Sequence, residues 1–132
     1  MTYLLILGAC KIEKIDKVIF SFTQELTGEH PNYDKIIDNH LCKLPKDDTA
    51  RQIVELQLAA LRERLVGADY KVYRYEASSN LLIIDQNNDD TVFELTENGK
   101  VITYLIMNSK KKIVSFSAMR KGEKLIPMSI CR

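Results

Sequence analysis

The stretch Val92-Phe93-Glu94-Leu95-Thr96-Glu97-Asn98-Gly99-Lys100-Val101-Ile102-Thr103-Tyr104-Leu105-Ile106-Met107 decides the fold. Two apolar runs flank Asn98-Gly99, a pair that tolerates the positive φ of a type I′ turn, so the stretch reads as a β-hairpin with a two-residue loop. That loop predicts a register in which Glu97 faces Lys100, Leu95 faces Ile102 and Phe93 faces Tyr104. One side of the ribbon is then apolar, with an ion pair at the turn end. A three-residue loop at Ser109-Lys110-Lys111 extends the pattern by placing Phe116 opposite Tyr104. A further three-residue loop at Lys121-Gly122-Glu123 sets Ala118 against Ile126 and Phe116 against Met128. The predicted apolar face therefore runs through Phe93, Leu95, Ile102, Tyr104, Ile106, Val114, Phe116, Ala118, Ile126, Met128 and Ile130, and such a face must be covered.

The cover comes from the preceding chain. Ile12, Ile15, Ile19, Phe22 and Leu26 recur at spacings of three and four, which predicts a helix over about residues 11–26, stopped by Gly28. Pro31 suits a first helical turn, and Tyr33, Ile36, Ile37, His40, Leu41 and Leu44 trace a second stripe ended by Pro45. Asp47 or Asp48 caps a third helix whose seam is Val54, Leu58, Leu61 and Leu65, closed by Gly67. Strands are predicted at 70–76 and 81–85, joined by Ala77-Ser78-Ser79, with Tyr73 and Tyr75 on the same apolar face. Helices followed by an antiparallel meander predict one α+β domain over residues 11–132. Its three N-terminal helices pack on one face of a curved, mostly antiparallel sheet of about six strands.

Charge is nearly balanced, at 19 basic against 18 acidic residues, yet unevenly spread. Residues 100–132 hold eight basic residues against Glu123, a net +7, leaving −6 for residues 1–99. The predicted loops put residues 110–112 and 120–124 at opposite ends of the sheet, which argues against one nucleic-acid patch. Two readings of Met1-Thr2-Tyr3-Leu4-Leu5-Ile6-Leu7-Gly8-Ala9-Cys10 stay open. Leu7-Gly8-Ala9-Cys10 looks like a bacterial lipobox, in which Cys10 is the lipid-attachment residue and membrane anchor. Against this, the basic n-region and full apolar stretch of a secretory signal are incomplete, and the other reading is a short apolar N-terminal segment. The three cysteines fit either address. Lipidation of Cys10 leaves Cys42 and Cys131 to pair as a disulfide, whereas in a cytosolic protein both are small buried apolar residues.

The element order over about residues 11–131 resembles the nuclear transport factor two-like (cystatin-like) family. That resemblance implies a curved sheet wrapped around a long helix, with a cone-shaped cavity inside. Lys112-Ile113-Val114-Ser115-Phe116 and Lys121-Gly122-Glu123-Lys124-Leu125-Ile126 also resemble the last hairpin of small exported proteins of this fold in Bacteroidetes-type bacteria. A cone would be lined by Tyr73, Tyr75, Phe93, Tyr104 and Phe116, with Asp85 at its rim. Ketosteroid isomerase-like enzymes of the family place an Asp base and a Tyr or acid donor there. The corresponding positions here offer tyrosines but no mid-strand carboxylate on that face, so nothing is placed to move the proton.

Other chemistries find little support. Asp38, His40 and Cys42 fall at i, i+2 and i+4, which do not share one helical face, and no metal site is predicted. Asp85-Gln86-Asn87-Asn88-Asp89-Asp90 starts like a calcium loop. However, Asp90 stands where Gly is required and Thr96 where the closing Glu should be, so these residues read as turn formers. No glycine-rich phosphate loop, Ser/His/Asp arrangement or CxxC pair is present, and no cofactor is implied. The second sheet face, with Val101, Thr103, Leu105, Met107, Ile113, Ser115, Ser117, Met119, Glu94 and Thr96, is mixed. It suits either a partner surface or homodimer seam, or a half-exposed face with the first helix or the N-terminal segment lying on it.

The sequence thus favours a non-catalytic binding or interaction module taking a small apolar ligand or a protein partner. Its expected address is the bacterial envelope, lipid-anchored, if Cys10 is processed, and the cytoplasm otherwise. The alternatives are a small-molecule enzyme of the cone type using Tyr73, Tyr104 or Asp85, and a cytosolic, immunity-type protein-interaction domain.

Overall fold

A computed structural model of the protein describes residues 17–75, 82–83 and 89–131. Among the described residues three helices come first: α1 (Lys17–Thr27), α2 (Tyr33–His40) and α3 (Asp48–Leu65). Where the predicted stripes fall on described residues they face the core, while Ile12 and Ile15 lie outside the described residues and Tyr33 and Leu44 are only partly buried. Ile19, Phe22 and Leu26 of α1, Ile36 and Ile37 of α2, and Val54, Leu58, Leu61 and Leu65 of α3 all enter one core. Helix starts follow side-chain chemistry. Asn32 accepts from the Lys35 N–H at 3.1 Å and Asp47 from the Thr49 N–H at 3.0 Å, each satisfying a donor that the first turn leaves unpaired. Pro31 therefore lies just outside α2, not in its first turn. The C-terminal turn of α3 carries Arg62 and Arg64, which suit the negative end of its dipole.

The second helix ends earlier than its apolar stripe predicts. Leu41 is already extended and bridges Ile113 in parallel, while the Cys42 N–H donates to the Ile113 carbonyl at 3.0 Å. Pairing with a sheet edge has replaced the last helical turn. Cys42 is also joined to Cys131, 89 residues away, across a Cα separation of 6.0 Å. The disulfide thus ties the α2–α3 connection to the C-terminal segment.

Seven strands follow among the described residues: β1 (Lys71–Arg74), β2 (Leu82–Ile83), β3 (Thr91–Glu97), β4 (Lys100–Met107), β5 (Ile113–Ser115), β6 (Ala118–Lys121) and β7 (Lys124–Pro127). They form two sheets. The larger is antiparallel with the order β1-β3-β4-β5, and the smaller has the order β2-β7-β6, with β2 parallel to β7. The fold class is therefore α+β, with three N-terminal helices ahead of a mostly antiparallel set of strands. At Phe116-Ser117 the chain passes from the larger sheet to the smaller.

The register departs from the predicted one at two bulges. Asn98 (φ 53°) and Gly99 (φ 78°) form the expected two-residue turn, and Glu97 pairs with Lys100. Thr96 then pairs with Val101 but Leu95 with Thr103, so Ile102 is an extra residue and every later β4 side chain changes face. A second extra residue, Val114, separates the pairs Met107–Ile113 and Ile106–Ser115. Phe93 therefore faces Leu105 instead of Tyr104. The last hairpin also differs, because Gly122 at φ 64° closes a two-residue turn that pairs Lys121 with Lys124 and Ala118 with Pro127.

In consequence the predicted single apolar face is two faces. Phe93, Leu95, Leu105, Met107, Ile113 and Phe116 join the helices in one core. Val92, Tyr104, Ile106 and Leu125 form a second, against which Tyr75, Val114 and Ala118 pack. Leu125 belongs to β7, so the smaller sheet covers the side of the larger one that the helices leave free. The mixed face offered as a homodimer seam is largely internal. Leu105, Met107 and Ile113 belong to the helical core, and Thr103 and Ser115 are buried, whereas Val101 and Met119 remain exposed.

Candidate functional site

The five residues expected to line one pocket do not meet. Phe93 and Phe116 are fully buried under the helices, while Tyr75 and Tyr104 lie on the opposite side of the sheet with their rings edge to face at 6.4 Å. Tyr73 is half exposed and stands across from Glu94 on the neighbouring strand. Bulging of β4 also places Glu94 opposite Tyr104, so Tyr73, Glu94 and Tyr104 form a cross-strand row. Burial first, and the Glu94 carboxylate second, push the Tyr104 hydroxyl above its ordinary pKa, while Arg120 opposes them. Near neutral pH this phenol is a proton-bearing group. Cys10 and Asp85 lie outside the described residues, as do residues 86–88 of the calcium-like run.

His40 is a structural residue. Its Nε2 pairs with the Glu25 carboxylate, and its ring meets Phe22 edge to face at 6.1 Å, locking α2 onto α1. His30 is exposed in the connection before α2. Among the described residues no group of three His, Cys, Asp or Glu side chains is placed to hold a metal ion. Nor is any helix among them long and apolar enough to cross a membrane.

Among the described residues, two concave surfaces gather unpaired cations. The larger, about 780 Å³, lies beside the disulfide, where the end of α2, the α2–α3 connection, the start of α3 and the β4–β5 turn converge. Ile37, Leu41 and Leu44 supply apolar lining, and Lys43, Lys46 and Lys110 add amines that make no ion pair among the described residues. Of its three acids, Asp38 is bound by Arg51 at 3.2 Å and Asp47 caps α3, leaving Asp48. The Arg51 guanidinium is held further above its ordinary pKa by its hydrogen bond to Asp34, with Asp38 adding to the effect. The β4–β5 turn is itself fixed, since Asn108 Oδ1 accepts from the N–H groups of Lys110 and Lys112, each at 3.0 Å. Lys112 Nζ donates to the Asn39 carbonyl at 2.8 Å, tying that turn to α2.

The smaller cleft, about 490 Å³, opens between the two sheets beside the Asn98-Gly99 turn. Arg64, Lys100 and Arg120 surround it, and Tyr104 and Leu125 provide its apolar lining. The predicted Glu97–Lys100 ion pair does not form. Glu97 instead accepts from the Asp69 N–H at 2.9 Å.

Sequence reasoning missed Glu94, Arg64, Lys100 and Arg120 as neighbours of Tyr104. One signal was available: Tyr104-Leu105-Ile106-Met107 is an unbroken apolar run, which marks a strand covered on both faces. Comparison with family models, curated proteins and solved structures gives no match for this chain.

Proposed function

We propose that the protein is a non-catalytic interaction module that docks an acidic polypeptide segment of a partner protein in the groove beside the disulfide. The observation that carries this reading is the groove itself, which combines apolar lining with unpaired lysines at its rim, next to a covalent cross-link. Apolar contact at the centre with charge at the edge is the ordinary anatomy of a protein interface. The disulfide, the Arg51 bridge and the Asn108 turn hold the walls in place, which lowers the ordering penalty of binding.

A disulfide persists in oxidising compartments, which supports the envelope address over the cytoplasm. Lipid on Cys10 would then anchor the module. Mass spectrometry of the native protein tests that address: a lipidated Cys10 with residues 1–9 removed agrees with it, and an unmodified, uncleaved N-terminus refutes it.

The groove is tested by fluorescence anisotropy with a short labelled peptide of alternating Glu and Leu, and its Lys and Leu counterpart. The acidic peptide should bind and the basic one should not. Lys43→Glu with Lys110→Glu should weaken the acidic peptide roughly tenfold or more and favour the basic one. Equal binding of both peptides, or no response to the charge reversal, contradicts the reading.

A further inference from the structure

The cleft between the sheets gathers positive charge as well. Arg64 comes from the last turn of α3, Lys100 from the start of β4 and Arg120 from β6, so three elements distant in sequence bring their cations to one opening. No carboxylate lines it among the described residues, and none of the three cations makes an ion pair among them. The carboxylate that the hairpin register sets across from Lys100, Glu97, is committed to the Asp69 N–H.

Both guanidinium groups are held in position without being neutralised. Arg64 Nη2 donates to the Ile102 carbonyl, the bulged residue of β4, and Arg120 Nε donates to the Gly122 carbonyl at 3.1 Å. A guanidinium has five N–H donors in a planar fork that matches an oxyanion. One donor of each is tied to the main chain, which orients the fork and leaves its other donors available. Like charges gathered at one opening repel, and a bound anion removes that repulsion.

Apart from Ser117, Thr103 and the Gly99 backbone, the remainder of the cleft is apolar. Tyr104, Leu125 and Ala118 belong to the second core, and Val101 and Ile102 flank the opening. Thr103, also in the lining, has spent its hydroxyl on the Phe116 carbonyl at 2.7 Å. A volume of about 490 Å³ lies in the range of small-molecule sites and exceeds the need of a bare inorganic ion. Glu94 acts on Tyr104 from the neighbouring strand, which keeps the ligand's charge at the Arg64, Lys100 and Arg120 end.

We infer that this cleft is a binding site for a small organic oxyanion, a phosphate ester or a carboxylate, whose apolar body rests against Val101, Ile102 and Ala118. It is separate from the groove beside the disulfide and shares none of its lining residues.

The test is an amide ¹H–¹⁵N NMR titration of the full chain with phenyl phosphate, benzoate and the neutral phenol. The anions should shift the amides of residues 101–104 and 117–120, and phenol should not. Arg64→Gln with Arg120→Gln should weaken binding roughly tenfold or more, as loss of charge-assisted hydrogen bonds requires. Lys100→Gln, which removes a cation with no ion-pair partner among the described residues, should weaken it in the same direction. Lys35→Gln, on α2 away from the cleft, should leave it unchanged. Response to phenyl phosphate alone supports a phosphate ester, to benzoate alone a carboxylate, and to both an oxyanion site of broad acceptance. The inference is overturned if neither anion moves these amides up to about 10 mM. It is equally overturned if phenol moves them as far, or if Lys35→Gln weakens binding as much as the arginine pair.

Discussion

Ile102 decides which side of the sheet carries each later β4 side chain. Without the extra residue, Tyr104 would share the helical core with Phe93. With it, Leu105 and Met107 go to the helices, and Tyr104 and Ile106 to the smaller sheet. The burial of Tyr104 has a consequence for stability. Folding raises its pKa above the ordinary 10.0, so the unfolded chain releases the phenolic proton at a lower pH than the native one. The stabilisation is complete below pH 10 and is lost as pH rises from there through the folded pKa. Urea midpoints should fall more steeply above pH 10 for the wild type than for Tyr104→Phe. Parallel curves for the two proteins would contradict this assignment.

Among the elements, the helices were legible because their signals are local. The α1 and α3 stripes, the Asp47 cap and the Asn98-Gly99 turn depend on residues within a few positions of one another. The bulges at Ile102 and Val114 were not legible, because a bulge is decided by what packs on each face, and those partners are remote in sequence. The candidate sites were hidden for the same reason. Cations at positions 64, 100 and 120 become neighbours only once β6 has crossed to the second sheet. Pairing of Cys42 with Cys131 was one of two readings, since spacing says nothing about Cα separation. In the structure the C-terminal segment is placed by the hydrogen bonds from Met128 N–H to Ser117 O at 2.9 Å and from Ile130 N–H to Val114 O at 3.0 Å. Closing so long a loop restricts the unfolded chain strongly, and removing the cross-link should lower stability by about 2–5 kcal/mol. Urea denaturation with and without reductant measures the loss. Identical midpoints, with thiol counting that confirms reduction, would show that the cross-link contributes nothing.

At the scale of the whole molecule, the larger sheet is a middle layer with helices on one side and the smaller sheet on the other. Its two faces feed two separate cores, which explains why β4 carries the unbroken apolar run Tyr104-Leu105-Ile106-Met107 instead of strict alternation. The basic C-terminal third is divided accordingly. Lys110 and Lys112 turn toward the disulfide groove, and Lys100 and Arg120 toward the cleft between the sheets. The cleft between the sheets depends on this layering, for it exists only if β6 and β7 lie over Tyr104. The most direct measurement is a set of nuclear Overhauser contacts from the Tyr104 ring protons. The layered arrangement predicts contacts to Tyr75 and to the Leu125 methyls, with none to Phe93 or Phe116. Contacts from Tyr104 to Phe116 or to Leu58 of α3 would return it to the helical side and contradict the two-faced sheet.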